Sequence, residues 1–309
     1  MPYVDPDIAR LLADFDPAAR DFGSLTPAQL RANAELTVQD MRPAIELPEI
    51  RDLTVPTRAG HVAGRLYRPS EGSHLPLLLF FHGGGWELGS VDLVDRMLRR
   101  LARDAEVVVL GIDYRLAPEN PYPAGLEDCF DATTWAGAHT DLLGCSSAWL
   151  GVGGDSAGAN LAAAVAAMGR DLGGPRIDHQ LLLYPVVTRD FGSDSYERFG
   201  EGCFLTRAAM EHYWTTYVGA ERPRYADLLH EADLSDLPSA TVVTCELDPL
   251  ASEGRAYARA LDEAGVATVL LSFGGLIHGS WYRDGVSIAA HRFGVAVAAM
   301  LRQAIGHDD

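Results

Sequence analysis

A serine set between glycines, and a run of three glycines behind a histidine, carry the plainest chemistry in this chain. Gly154-Asp155-Ser156-Ala157-Gly158 fits the pattern G-x-S-x-G, and His82-Gly83-Gly84-Gly85 precedes it. Each cluster directly follows an apolar, strand-like run, residues 77–81 and residues 148–152 respectively. A serine on a sharp strand-to-helix turn is held with its hydroxyl exposed at the end of a sheet. Glycine amides gathered beside it can hold the negative charge that builds on a carbonyl oxygen under attack. Either pattern alone is weak; the pair, in this order and with these flanks, points to acyl transfer by a nucleophilic serine.

A serine hydroxyl attacks poorly until a base takes its proton, and the base needs an orienting group. On a strand–turn–helix scaffold the partners follow in the order Ser, then Asp or Glu, then His. Six histidines lie downstream: His179, His212, His230, His278, His291 and His307. Only His278 falls in a glycine-rich loop, Gly274-Gly275-Leu276-Ile277-His278-Gly279, just past a strand-like run. The acid belongs past the preceding run, where Glu246-Leu247-Asp248-Pro249 stands. Asp248, a turn residue before proline, is the choice, and Glu246 is the competitor. Asp155 has no route to an imidazole from beside the serine, which gives it a local structural role.

The elements that must position these groups are legible as short apolar runs: residues 77–81, 107–112, 148–152, 180–184, 240–245 and 267–273. Strands apolar on both faces, alternating with helical stretches, predict a parallel sheet covered on both sides. Residues 157–168 are apolar almost all round, as a centrally buried helix requires. Residues 50–56 and 62–67, joined through Gly60, predict an antiparallel hairpin. The first fifty residues read as helical, with Thr26-Pro27-Ala28-Gln29 as a capping box and Leu30, Ala34 and Val38 at helical spacing. Residues 189–224 interrupt the alternation with a helix bearing Met210, Tyr213, Trp214, Tyr217 and Val218, startable at Thr206 and ended by Gly219. Together with residues 1–47 this insertion is read as a cap over the C-terminal edge of the sheet, where open α/β sheets bind ligands. The core then comprises residues 48–188 and 225–309.

Composition narrows the field. The 309 residues, 48% hydrophobic, suffice for one large α/β domain. No apolar run approaches membrane-spanning length, and the acidic start Met1-Pro2-Tyr3-Val4-Asp5 does not read as a signal peptide. A formal net charge of −18 argues against nucleic acid or anionic membrane as partners. The four cysteines, Cys129, Cys145, Cys203 and Cys245, lie far apart, which suits reduced thiols in a cytoplasmic protein rather than a disulfide or metal site.

Several stretches together resemble the bacterial hormone-sensitive-lipase-like esterases of the α/β-hydrolase superfamily. They are His82–Gly85, Asp113-Tyr114-Arg115-Leu116-Ala117-Pro118-Glu119, Gly154–Gly158, Leu183-Tyr184-Pro185, Asp248-Pro249-Leu250, Glu253-Gly254 and Ile277-His278-Gly279. Ser195-Tyr196 and Glu201-Gly202-Cys203-Phe204-Leu205-Thr206 are similar to the family's cap segment. The resemblance implies an α/β-hydrolase fold, a mostly parallel central sheet flanked by helices with a helical cap. It implies no cofactor and no metal, and a small-molecule ester of short acyl chain as substrate. It makes Ser156 the nucleophile, His278 the base, Asp248 the orienting acid, and the amides of Gly83, Gly84 and Ala157 the oxyanion donors. His82 and the 113–119 stretch become structural. Two positions depart from the family pattern: Ala159 where glycine is usual, and Ser280 where phenylalanine is usual, the second bearing on pocket shape.

Trp86, Phe204, Leu205, Trp214, Ile277 and Trp281 are the expected pocket walls. An amide or N-acetyl hydrolase would use the same residues, whereas a non-catalytic receptor on this fold would lack the histidine. If residues 267–273 form an edge strand, as the last strand of the resembling fold usually does, neither proline nor charge protects it, and a homodimer joined near it is expected.

Overall fold

The computed structural model describes residues 2–15, 24–71 and 74–306. His307 and part of the expected N-terminal helical segment, residues 16–23, lie outside the described residues. Eight strands form one sheet: β1 (Glu49–Thr57), β2 (Gly60–Arg68), β3 (Leu77–Phe81), β4 (Val108–Asp113), β5 (Leu150–Asp155), β6 (His179–Leu183), β7 (Ser239–Leu247) and β8 (Thr268–Ile277). Their order is β1-β2-β4-β3-β5-β6-β7-β8. The β1–β2 hairpin and the β2–β4 pairing are antiparallel, and every later pairing is parallel.

The uniform apolarity of the middle strands follows from burial on both faces. Leu77, Leu79 and Phe81 of β3 join one core with Leu161 of α6 (Ala157–Leu172) and Tyr257 of α10 (Ala251–Glu263). Leu78 and Phe80 enter the other, with Leu98 of α3 (Val91–Ala105) and Val297 of α11 (Ile288–Ile305). Successive side chains of a strand point to opposite faces, so five apolar residues in a row serve two helical layers at once. Helix α4 (Ala124–Ala138), the short turn α5 (Thr140–Leu143) and α9 (Leu228–Glu231) complete the helices of the core.

Strand ends differ from the sequence expectation in an informative way. β5 begins at Leu150 and runs through Gly151, Gly153 and Gly154 to Asp155, beyond the predicted end at residue 152. Glycine packs poorly as a strand residue, but pairing with β3 and β6 on either side overrides that preference. β8 likewise continues past residue 273 through Gly274 and Gly275, where β7 carries a bulge between Cys245 and Leu247.

Helices α1 (Pro6–Asp14) and α2 (Pro27–Glu35) precede the sheet. The capping box at Thr26 and Gln29 is present, and α2 gives way at Leu36–Asp40 to a 3-10 turn that carries Val38. Arg31 fastens α2 to the core, donating to the carbonyls of Glu87 and Ala117 and to the carboxylate of Glu119. The insertion holds α7 (Asp194–Phe199) and α8 (Arg207–Val218), the latter capped by the Thr206 hydroxyl accepting from the Ala209 amide and closed at Gly219. No described helix is long and apolar enough to cross a membrane.

Candidate active site

Ser156 sits at the turn from β5 into α6 with φ 55° and ψ −119°, a conformation that a non-glycine residue seldom adopts. The turn is tight because its flanks have no side chains: a Cβ on Gly158 would overlap the Phe81 carbonyl, and one on Gly154 would overlap the Gly158 backbone. The Ser156 hydroxyl lies 2.9 Å from Nε2 of His278, and Nδ1 of His278 lies 2.8 Å from Oδ2 of Asp248. A carboxylate can only accept, so Nδ1 carries the proton and Nε2 accepts from the serine. All three side chains are buried.

Each partner is braced by its own turn. The other oxygen of Asp248 accepts the Leu250 amide at 2.9 Å, holding the carboxylate just beyond the end of β7. His278 follows β8 directly, and the edge of its ring meets Tyr184 at 4.8 Å between centroids. Ser280, where the family pattern has phenylalanine, is fully buried; its hydroxyl donates to the Ile277 carbonyl and accepts the Ile277 amide. That residue fastens the histidine turn and lines no wall. Glu246, the competing acid, instead accepts the Gly275 amide.

The glycine cluster requires a correction. The Gly83 amide already donates to Oδ1 of Asp155 at 2.8 Å, so it is not available to a substrate oxygen. Among the described residues no protein acceptor takes the amides of Gly84, Gly85 or Ala157. Gly84 and Gly85 have φ of 122° and 62°, and a Cβ on Gly85 would run into the Tyr213 ring. His82 stacks on Tyr114 at 4.4 Å, whose hydroxyl donates to the His82 carbonyl, a structural arrangement.

Asp155 therefore has a larger part than its sequence position suggested. Besides the Gly83 amide it accepts the Tyr282 hydroxyl at 2.9 Å. Burial is the main influence on its carboxyl, pushed up to about 6 despite those hydrogen bonds and the nearby imidazole.

A small cavity of about 80 Å³ opens beside Ser156, bounded by Gly84, Gly85, Leu205, Met210, Tyr213 and Phe204 among others. Of the six expected wall residues, Phe204 and Leu205 border it. The other four belong to the core. Trp86 stacks on Tyr217 at 4.4 Å and meets Trp214 edge-on at 5.0 Å, both on α8. Trp281 packs on Phe80 at 5.3 Å, and Ile277 is buried on the same face of the sheet. Large apolar side chains beside a motif satisfy a core as readily as a pocket, and the sequence does not separate the two. Met210 and Tyr213 were visible as part of a helical stripe, but the stripe alone does not say which of its members meets the cavity. Among the described residues, no group of three or more His, Cys, Asp or Glu side chains is placed to hold a metal ion.

Comparison with known proteins agrees with this architecture. The family profile described as alpha/beta hydrolase fold matches residues 78–282. Carboxylic ester hydrolase LipN of Mycobacterium tuberculosis is 44% identical over 241 residues, 75% of this chain and 64% of that protein. The chain thus spans just under two thirds of that relative. Carboxylesterase NlhH of the same species is 34% identical over 313 residues, 97% of this chain and 96% of that protein. A hyperthermophilic esterase from Pyrobaculum calidifontis superposes with a TM-score of 0.89 at 34% identity, covering 98% of this chain and 99% of that one. With strand order, serine turn and these likenesses all in accord over most of its length, the chain belongs to the hormone-sensitive-lipase-like branch of the alpha/beta hydrolase family.

Proposed function

We propose that this protein is a serine carboxylesterase that hydrolyses short-chain esters of small molecules through an acyl-enzyme intermediate. The observation that carries this reading is the unbroken Ser156–His278–Asp248 relay at the floor of a small, mostly apolar chamber. Its relatives in Mycobacterium tuberculosis, a carboxylic ester hydrolase and a carboxylesterase, support it.

His278 takes the serine proton as Oγ attacks the ester carbonyl, and the new C–O bond pushes charge onto the carbonyl oxygen. The amides of Gly84, Gly85 and Ala157 receive that charge; losing one such donor typically costs about 3–4 kcal/mol in the transition state. His278 then hands the proton to the departing alkoxide. A water molecule repeats the sequence on the acyl-enzyme, releasing the acid and restoring the serine. Asp248 holds the imidazole in the right tautomer and offsets its charge while it is protonated. A receptor on the same scaffold would have no use for the imidazole placed here.

Residues 1–47 and 189–224 act as the cap over a core of 48–188 and 225–309, since Ala34 and Thr37 from the first segment and Phe204, Leu205, Met210 and Tyr213 from the second border the chamber. Chamber size sets the test. An apolar cavity of roughly 150 Å³ accommodates benzene, so about 80 Å³ suits acyl chains of two to four carbons. Across 4-nitrophenyl acetate, butyrate, hexanoate and decanoate, kcat/KM is expected to peak at the two shortest and fall steeply by decanoate. A profile that rises toward decanoate rejects the short-chain assignment.

The unpaired and mostly buried cysteines suit the reducing cytoplasm. Strand β8 is one of the two edge strands; Val4 bridges its end at Gly275, while the stretch with Val269 and Leu270 exposed carries no proline or charge. Unprotected edges pair, and a homodimer joined along β8 is the expected assembly. Light scattering at micromolar concentration checks it, with a monomeric mass as the contrary result.

A further inference from the structure

We propose that a second cavity, beneath the N-terminal helices, is the subsite for a longer arm of the ester, and that the ring of Phe204 is the partition that determines access to it. The inference rests on the reading of Ser156 as nucleophile. The outer cavity, about 560 Å³, is far larger than the catalytic chamber. The two share a wall: Ala34, Thr37, Leu88, Phe204 and Arg283 border both. They are neighbouring cavities with a common wall.

Phe204 is the member of that wall with an unusual backbone conformation. Its φ is 76°, a left-handed conformation that bulky residues rarely tolerate. Such a conformation persists where the surroundings over-determine it, and it concentrates at sites with a task. Among the described residues two side chains pack against the ring. The ring meets Phe15 edge-on at 5.2 Å. The Arg283 guanidinium lies over it at 5.0 Å, itself ion-paired to Asp40. A Cβ built on Gly279, the residue after the histidine, would be 3.8 Å from the ring edge. The ring thus stands between His278 and the N-terminal helices.

The outer cavity can take an aliphatic arm. Leu11, Leu30, Leu36 and Val286 supply apolar surface. Among the described residues its charged lining is Asp7, Asp14 and Asp40 with Arg10 and Arg283, Arg10 paired to Asp7 and Arg283 to Asp40.

The test is Phe204→Gly, since glycine accepts the left-handed conformation without strain. The purified variant and wild type are compared on two substrate series, because the two arms of an ester leave Ser156 in different directions. One runs from 4-nitrophenyl acetate to decanoate, the other through acetate esters from ethanol to decanol. In at least one series the long-to-short ratio of kcat/KM is expected to rise about tenfold or more, a single pocket methylene being worth roughly 10–200-fold. Adding Val286→Trp, which refills the outer cavity from an exposed position, is expected to return the ratio toward wild type. Unmoved ratios in both series, or a rise indifferent to the tryptophan, overturn the proposal. Should the glycine variant fail to fold, Phe204→Ala carries the same comparison. Wild-type protein inert toward every short ester would refute the esterase reading instead, so the two failures are distinguishable.

Discussion

Ser156→Ala is expected to lower kcat/KM for 4-nitrophenyl butyrate by about 10⁴-fold or more while leaving the fold intact. The serine hydroxyl makes one protein hydrogen bond, to Nε2 of His278, and its removal leaves no group that can form the acyl bond. Nothing in the turn depends on that oxygen. The backbone conformation at φ 55° is imposed by the close approach of Gly154 and Gly158 to their neighbours, and alanine meets the same strain that serine does. Thermal unfolding should therefore be nearly superimposable for the two proteins. Residual rate above water, from the oxyanion amides and binding alone, is the usual remainder when a triad member is lost. Equal activity in wild type and variant would reject nucleophilic catalysis at this residue.

Asp155→Asn is expected to reduce kcat/KM at pH 8 by about 10²-fold, on the order of losing one well-placed oxyanion donor, with a melting temperature equal to or above that of wild type. Two effects combine in the activity. The Gly83 amide and the Tyr282 hydroxyl each donate to one oxygen of Asp155; asparagine keeps one acceptor and turns an NH2 toward the other donor, which loosens the loop that carries the oxyanion amides. In the proposed cycle its charge would also attract the imidazolium formed on His278. The stability effect has the opposite sign. Burial raises the folded-state value from 3.8 to about 6, so the ionised form is the one the fold disfavours. Stability from this group is full below about 3.8, declines as pH climbs toward about 6, and stays lost above it. A shift of this size corresponds to about 3 kcal/mol, and asparagine, neutral throughout, escapes it. Activity follows the reverse course, falling as pH drops through about 6 and the carboxylate is consumed. An asparagine variant with undiminished kcat/KM at pH 8 would reduce Asp155 to a spectator.

How much of this was legible in the chain depended on how local each signal is. The G-x-S-x-G and glycine-run patterns name their own positions, and the Gly274–Gly279 stretch marks His278 because no other downstream histidine has such glycine-rich flanks, although the structure runs β8 through Gly274 to Ile277. The choice among amides was not local. Which glycine remains available depends on an aspartate 72 residues away reaching back to Gly83. The parallel sheet was readable from its wholly apolar runs, yet β5 hid its last residues in glycines, since lateral pairing has no sequence signature. Pocket walls were the least legible. Trp86 and Trp281 stand next to motifs and face the core, whereas Arg283, five residues past the histidine, faces both cavities.

The relay is carried by the ends of β5, β7 and β8, whereas Ala34, Thr37, Phe204, Leu205, Met210 and Tyr213 come from segments outside the sheet. Reaction and diet are thus written on separate parts of the molecule. A lineage, or a directed-evolution library confined to those outer segments, can change which esters are consumed without retuning how any of them is broken.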